Sequence, residues 1–190
     1  MHKHLEYLKY IIFLVVLLFA ASSFAGTKYV RTNGNNSNDG SADDVDHAWL
    51  TVTYCLANAG SGNTCSIGDG AYSEPALIVP TGVSMTSTSG VASNVIIAPN
   101  QNYTTTPFVD LSSDTPGTSG NQSITYLTFN GHYGGHIANC GIKVWNRDDV
   151  TIDNNIITNF YGATITSSNS LNKSYAISGV STTTCCQIRP

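Results

Sequence analysis

From Thr64 onward the chain is a succession of short apolar runs (CSI, ALIV, VSM, VIIA, FVDL, YLTF, IKVW, VTI, NIIT and ATI), each closed off by Gly, Pro, Asn or Ser. None is long enough for an ordinary helix, and the punctuation is that of strands ending in turns. Strands this short and this numerous restrict the fold to a sandwich, a barrel or a solenoid. Spacing selects among the three. Leu127-Thr128-Phe129-Asn130-Gly131 is echoed by Val150-Thr151-Ile152-Asp153-Asn154, and Ile142-Lys143-Val144 by Ala163-Thr164-Ile165, at steps of roughly 21–23 residues, the size of one β-solenoid coil. Such a coil cannot bury its inward side chains alone and must stack on others. Alternation sends Leu127, Phe129, Ile142, Val144, Val150 and Ile152 inward, and Thr128, Asn130, Lys143, Trp145, Thr151 and Asp153 outward. The same step sets Phe129 near Ile152 and Val144 near Ile165. Asn154 and Asn155 mark a corner, where Asn accepts left-handed backbone and hydrogen-bonds along the stack.

The chain begins differently. Lys3 and Lys9 precede an apolar run from Ile11 to Ala21, and small residues follow, ending at Ser23-Phe24-Ala25. A basic start, a short apolar core and a small residue before the cut are the marks of a secretory signal, which predicts cleavage after Ala25 and a mature chain of residues 26–190. The run is about half the ~20 residues that a bilayer-spanning helix needs, and Glu6 lies close to it. With the signal removed, no membrane association is expected. The destination is outside the cell or at its surface.

The whole chain carries 8 Lys+Arg against 12 Asp+Glu, a formal net charge of −4, and loss of the signal takes it to about −5. No basic stripe is available to neutralise phosphates, so nucleic acid is not an expected partner. The 5 cysteines of an exported chain predict a disulfide, and the odd number leaves at least one without an intrachain partner. Cys55 and Cys65 are the expected pair. They would tie a short helix to the strand after it, closing a loop worth about 2–3 kcal/mol. Cys140, Cys185 and Cys186 stay unassigned, and no Cys-x-x-Cys spacing turns them into a metal site.

Between signal and strands, Lys28-Tyr29-Val30-Arg31 alternates as a strand and NGNNSNDGSADD is a polar turn segment. Trp49, Leu50, Val52, Leu56 and Ala57 then fall near helical spacing, with Asp46 or Thr51 to cap the start and Asn58-Ala59-Gly60 to stop it. A helix this short is unstable alone, so it must cover an apolar end of something larger.

The stretch YVRTNGNNSNDGSADDVDHAWLTVTYCLANAGSGNTCSIGDGAYSE resembles the N-terminal cap and first coil of the right-handed parallel β-helix, or pectate-lyase-like, superfamily. Trp49 holds the aromatic position of that cap, Thr51 to Ala59 its helix, and Gly70-Ala71-Tyr72 its closing element; Asn63 stands where the family usually has Asp. A second stretch, CGIKVWNRDDVTIDNNIITNFYGATI, resembles a regular coil of the same superfamily. The resemblance implies an all-β chain, a right-handed parallel β-helix with its cap at residues 27–60 and its coils at 64–190. It implies truncation as well, because TTTCCQIRP is unlike a C-terminal cap. Extracellular polysaccharide becomes the expected ligand, with lyase, hydrolase or epimerase as the activity of the parent scaffold. The alternative is a non-catalytic surface or structural β-helix, or an inactive fragment of a longer enzyme.

Lyases on that scaffold use an Arg or Lys base with carboxylate-bound Ca²⁺. The resemblance therefore directs attention to Arg147 and Lys143 as candidate bases and carbohydrate-binding residues, and to Asp148, Asp149 and Asp153 as candidate metal ligands. Arg147 to Asp149 fall in a corner between strands, however, where charged side chains ordinarily face solvent. Lys143 and Trp145 share the outer side of one strand; a Trp ring can stack on a sugar while Lys pairs with a uronate carboxylate, unless a loop covers the ring. His132 and Tyr133, with His136, lie in the Gly-rich excursion HYGGHIANCG and are candidate general acids or sugar contacts, or a plain surface loop. Asp39, Asp43, Asp44 and Asp46 lack the spacing of a calcium loop and read as a turn and helix cap. With no Gly-x-Ser-x-Gly elbow, catalytic residues stay unassigned.

Overall fold

Among the described residues, fifteen short strands fall into three sheets. Sheet A contains β1 (Thr27–Val30), β2 (Thr64–Ile67), β5 (Ser84–Ser87), β8 (Thr118–Thr125), β12 (Arg147–Asp153) and β15 (Tyr175–Ser178). Sheet B contains β3 (Gly70–Glu74), β6 (Val95–Pro99), β9 (Thr128–Asn130) and β13 (Ile156–Thr158). Sheet C contains β4 (Leu77–Ile78), β7 (Tyr103–Ser112), β11 (His136–Trp145) and β14 (Ile165–Ser168), with β10 (His132–Tyr133) antiparallel to the start of β11. This computed structural model describes residues 25–161 and the strands at 165–168 and 175–178. The expected signal segment up to residue 24, Cys185, Cys186 and the C-terminal end lie outside the described residues.

From β2 onward the chain visits the sheets in the rotation A, B, C, and apart from β10 every strand pairs in parallel with its counterpart one round earlier or later. The expectation of a largely β chain built from short strands is met. Each sheet contributes an inward row of stacked side chains: Cys65, Met85, Ile124 and Ile152 in sheet A, Tyr72, Ile97, Phe129 and Ile157 in sheet B, and Leu77, Val109 and Ile142 in sheet C. All are buried, and each large aliphatic or aromatic member stabilises by about 1.5–3 kcal/mol relative to exposure.

The inward assignment of Leu127, Phe129, Ile142, Val144, Val150 and Ile152 is correct. The register is not. Phe129 stands beside Ile157 rather than Ile152, Ile152 stands beside Ile124, and Ile165 stands beside Ile142 rather than Val144. The similar runs at 127–131 and 150–154 belong to different sheets, because each round repeats a strand, a corner and another strand. Rounds also differ in length: Thr86 and Thr125 are neighbours 39 residues apart, whereas Leu127 and Asn155 bond across 28. Thr128 points outward but is buried beneath the one-turn helix at Ala92–Asn94, its hydroxyl donating to the Ala92 carbonyl at 2.7 Å.

One end of the stack is closed by α1 (Val52–Asn58), which packs on β1, β2, β3 and β4. Thr51 caps it, accepting from the Tyr54 amide at 3.2 Å, whereas Asp46 stays outside the helix. A second cap comes from β3, where buried Glu74 accepts from the amides of Val52 and Thr53 and from the Thr53 hydroxyl at 2.8, 3.2 and 2.7 Å. The carboxylate thus answers donors that the first turn leaves open. Val52, Cys55 and Leu56 face inward, and a disulfide joins Cys55 to Cys65 across a Cα separation of 6.1 Å. Trp49 precedes the helix, bridges to Val30, and lies buried with its indole N–H donating to the Asn38 carbonyl at 2.6 Å. Gly40, at φ 69°, allows the loop to cross that ring, since a Cβ there would come within 2.8 Å of it.

Candidate functional site

Parallel register decides which candidates meet. On the outer side of sheet C, Ile78, Asp110 and Lys143 lie in one row across β4, β7 and β11, and Ser112 lies beside Trp145 in the next outward row. Trp145 is 44 % exposed, so no loop among the described residues covers it. The Lys143 ammonium sits 5.5 Å from the Trp145 ring centroid, a cation–π contact worth about 0.5–1 kcal/mol where solvent reaches it. The Ser112 hydroxyl donates to the Asp110 carboxylate. The result is an outward sheet surface with an aromatic ring, a cation, a carboxylate and a hydroxyl, flanked by the highly exposed Ile78. It offers ring stacking together with hydrogen bonds of both polarities.

Arg147 departs from its expected place. It sits in the corner between sheets C and A, but its side chain turns inward and is 4 % exposed. Asn146 takes a left-handed conformation at φ 55°, so that Trp145 faces out while Arg147 faces in. The guanidinium donates to the carbonyls of Val79 (2.6 Å) and Ser112 (2.5 Å), the Gln122 side-chain oxygen (3.2 Å) and the Ser113 hydroxyl (3.0 Å). Burial lowers its pKa from the usual arginine value, and the Asp110 carboxylate opposes that shift. Arg147 is therefore no surface sugar contact. By holding the Ser112 carbonyl it fixes the end of β7 beneath the Asp110–Ser112 edge.

The candidate metal ligands each have local partners. Asp149, at φ 52°, accepts from the Ser119 hydroxyl at 2.7 Å beside a register shift between β12 and β8, and Asp153 accepts from the Asn154 side chain at 2.9 Å. Asp148 is half-buried opposite Ser119. Among the described residues no three His, Cys, Asp or Glu side chains gather where a metal ion would sit. His132 and Tyr133 are both exposed. The His132 ring lies 3.3 Å from the Tyr161 hydroxyl, and Tyr133 pairs with His136 across the hairpin. His136 and Trp145 mark opposite ends of β11, about 30 Å apart at strand rise, so the histidine excursion and the Trp145 surface are separate places.

A further polar site was not evident in the sequence. The carboxyl ends of β1, β2 and β5 deliver Arg31 to Asn33, Gly68 with Asp69, and Thr88 with Ser89 to one cleft of about 310 Å³, which Asp43 closes from the N-terminal loop. Arg31 pairs with Asp43 at 3.0 Å and donates to the Asn33 side chain at 3.3 Å. Asp69 accepts from Ser89 at 2.6 Å and from Asn94 at 3.0 Å. The available signal was positional: Arg31, Gly68 and Thr88 each directly follow a sheet A strand.

Comparison with protein-family models, curated proteins and solved structures returns no match to this chain.

Proposed function

We propose that the chain is an exported right-handed parallel β-helix that binds extracellular polysaccharide on the outer face of sheet C, without cleaving it. The rotation through three parallel sheets and the capping helix support the β-helix reading. The Cys55–Cys65 bond fits an oxidising destination, and no helix among the described residues is long and apolar enough to cross a membrane. The observation that carries the binding reading is the exposed Trp145 ring beside Lys143, on the outer face of sheet C with Asp110 and Ser112 in register. Stacking would hold a sugar ring, and Lys143 would reach a uronate carboxylate.

Titration with pectin- and alginate-like oligosaccharides, followed by calorimetry, tests this. Trp145→Ala and Lys143→Ala are each expected to weaken binding by about tenfold, the equivalent of one strong contact, with the unfolding transition unchanged. Product formation that requires calcium would overturn the non-cleaving part in favour of a lyase. Binding unaffected by both substitutions would remove this face and leave the structural-protein reading as the better one.

A further inference from the structure

We infer that the cleft at the carboxyl end of sheet A is a second ligand site, built for one neutral, hydroxyl-rich ring such as a single hexose residue. It lies on a different sheet from the Trp145 surface and does not depend on that surface binding anything. Its volume of about 310 Å³ falls at the small end of the range for ligand pockets, about 300–1,000 Å³, which suits one sugar residue.

The side chains that line it belong to polar residues and are held in place. Arg31 is fixed by Asn33 and Asp43, and Asp69 by Ser89 and Asn94. Those contacts use Arg31 Nε and Nη1 and one bond to each Asp69 oxygen, and so leave the Arg31 Nη2 amino group and further Asp69 lone pairs, with the Thr32 hydroxyl of the same lining, for a ligand. A ring of adjacent hydroxyls both donates and accepts, so it satisfies a carboxylate and a guanidinium together. Charge narrows the class. Arg31 contributes one positive charge against the two negative charges of Asp43 and Asp69, so an anionic sugar meets net repulsion. Arg31 likewise disfavours a divalent cation between the two carboxylates, one of which it already pairs.

Isotope-labelled protein titrated with glucose, galactose, galacturonate and calcium chloride in separate series provides the test. Glucose or galactose should shift the amide signals of Arg31, Thr32, Gly68 and Asp69 with a Kd of about 1–10 mM, the range expected for a ligand of this size. Galacturonate should bind several-fold more weakly. Asp69→Asn, which keeps the side chain's shape, should weaken the neutral sugars about tenfold and shrink their advantage over galacturonate. Thr32→Ala, at an exposed position with no structural bond, should weaken them about twofold to fivefold. Trp145→Ala should leave these shifts intact, so failure of the sheet C reading and failure of this one are separately visible. The inference is overturned if neutral sugars shift none of these signals in the folded protein. Tighter binding of galacturonate than of either hexose, or shifts produced by calcium alone, overturns it too.

Discussion

Where sheet A turns into sheet B, the corner is filled by Asn155; where sheet C turns into sheet A, it is filled by Arg147. Both side chains are buried. Asn155 is neutral and makes two bonds across rounds, donating to the Ile124 carbonyl at 2.7 Å and accepting from the Leu127 amide at 3.0 Å. Arg147 carries a charge inside and spreads it over two carbonyls, an amide oxygen and a hydroxyl drawn from earlier rounds. Corners interrupt the ladder and leave backbone groups without strand partners. A corner that exposes one donor and one acceptor is closed by an amide, whereas one that converges several carbonyls accepts a cation. Neither side chain is replaceable by an apolar one without leaving buried polar groups unmet.

The comparison holds only if a charge is tolerated at a corner and rejected along the inward rows. Ile152 stands beside Ile124 in the inward row of sheet A and is buried. Ile152→Asp is expected to destabilise by more than about 4 kcal/mol, as for an unpaired charge in an apolar core. Thr151→Asp, on the outer side of the same strand, should stay within about 1 kcal/mol. Denaturant unfolding of both variants measures the contrast, and equal losses would contradict the alternation.

Arg147→Met keeps much of the volume and removes every donor. It should cost about 2–4 kcal/mol, because buried acceptors then lose their partners at about 1–3 kcal/mol each. A loss below about 1 kcal/mol in the same unfolding experiment would mean that the cation merely occupies this corner. Asn155→Ala should follow with about 1–3 kcal/mol, from the Leu127 amide left buried and unpaired. Finding Asn155→Ala the costlier of the two would reverse the ranking on which the contrast rests.

These corners also show where the sequence ceased to be informative. Alternation within a strand survives translation to structure, which is why Ile142 and Val144 fall inward and Trp145 outward. It does not survive a left-handed residue. Asn146 resets the parity, and the charged run after it therefore starts inward at Arg147 although its composition suggests a solvated turn. Register was lost for a related reason. Rounds of unequal length, enlarged by the β10 hairpin and shifted at Asp149, place similar strands in different sheets. The Cys55–Cys65 pair was legible because its partners are near in sequence, separated by 10 residues on adjoining elements. The Arg31–Asp69 cleft was not, since its walls come from three rounds that only parallel stacking brings together. The Lys143–Trp145 part of the candidate surface lies within one strand and was visible; Asp110 and Ser112 needed the register.

The smallest effect belongs to charges outside the core. His47 and Asp44 are exposed and meet at 2.7 Å within the N-terminal loop. The hydrogen bond to Asp44 is the first cause that raises the His47 pKa above its ordinary 6.5, and the bond from His47 is the first that lowers Asp44 below 3.8. The histidine contribution to stability is complete below pH 6.5 and is lost as pH rises through the raised value. The carboxylate contribution is complete above pH 3.8 and is lost as pH falls through the lowered one. Both operate together between pH 3.8 and 6.5. Water and salt screen such a pair heavily, so its signature is a titration rather than an unfolding curve. Following the His47 ring by NMR, we expect its midpoint to fall towards 6.5 in Asp44→Asn, where partial desolvation, which lowers it, opposes the weaker pulls of Asp39 and Asp46. Added salt should reduce the elevation in the parent protein while leaving the Arg147 corner's contribution to unfolding nearly unchanged, because buried charge is screened far less. A His47 midpoint that ignores both Asp44→Asn and salt would dissolve the pair, and a salt-sensitive Arg147 contribution would erase the distinction between exposed charge and charge held among carbonyls.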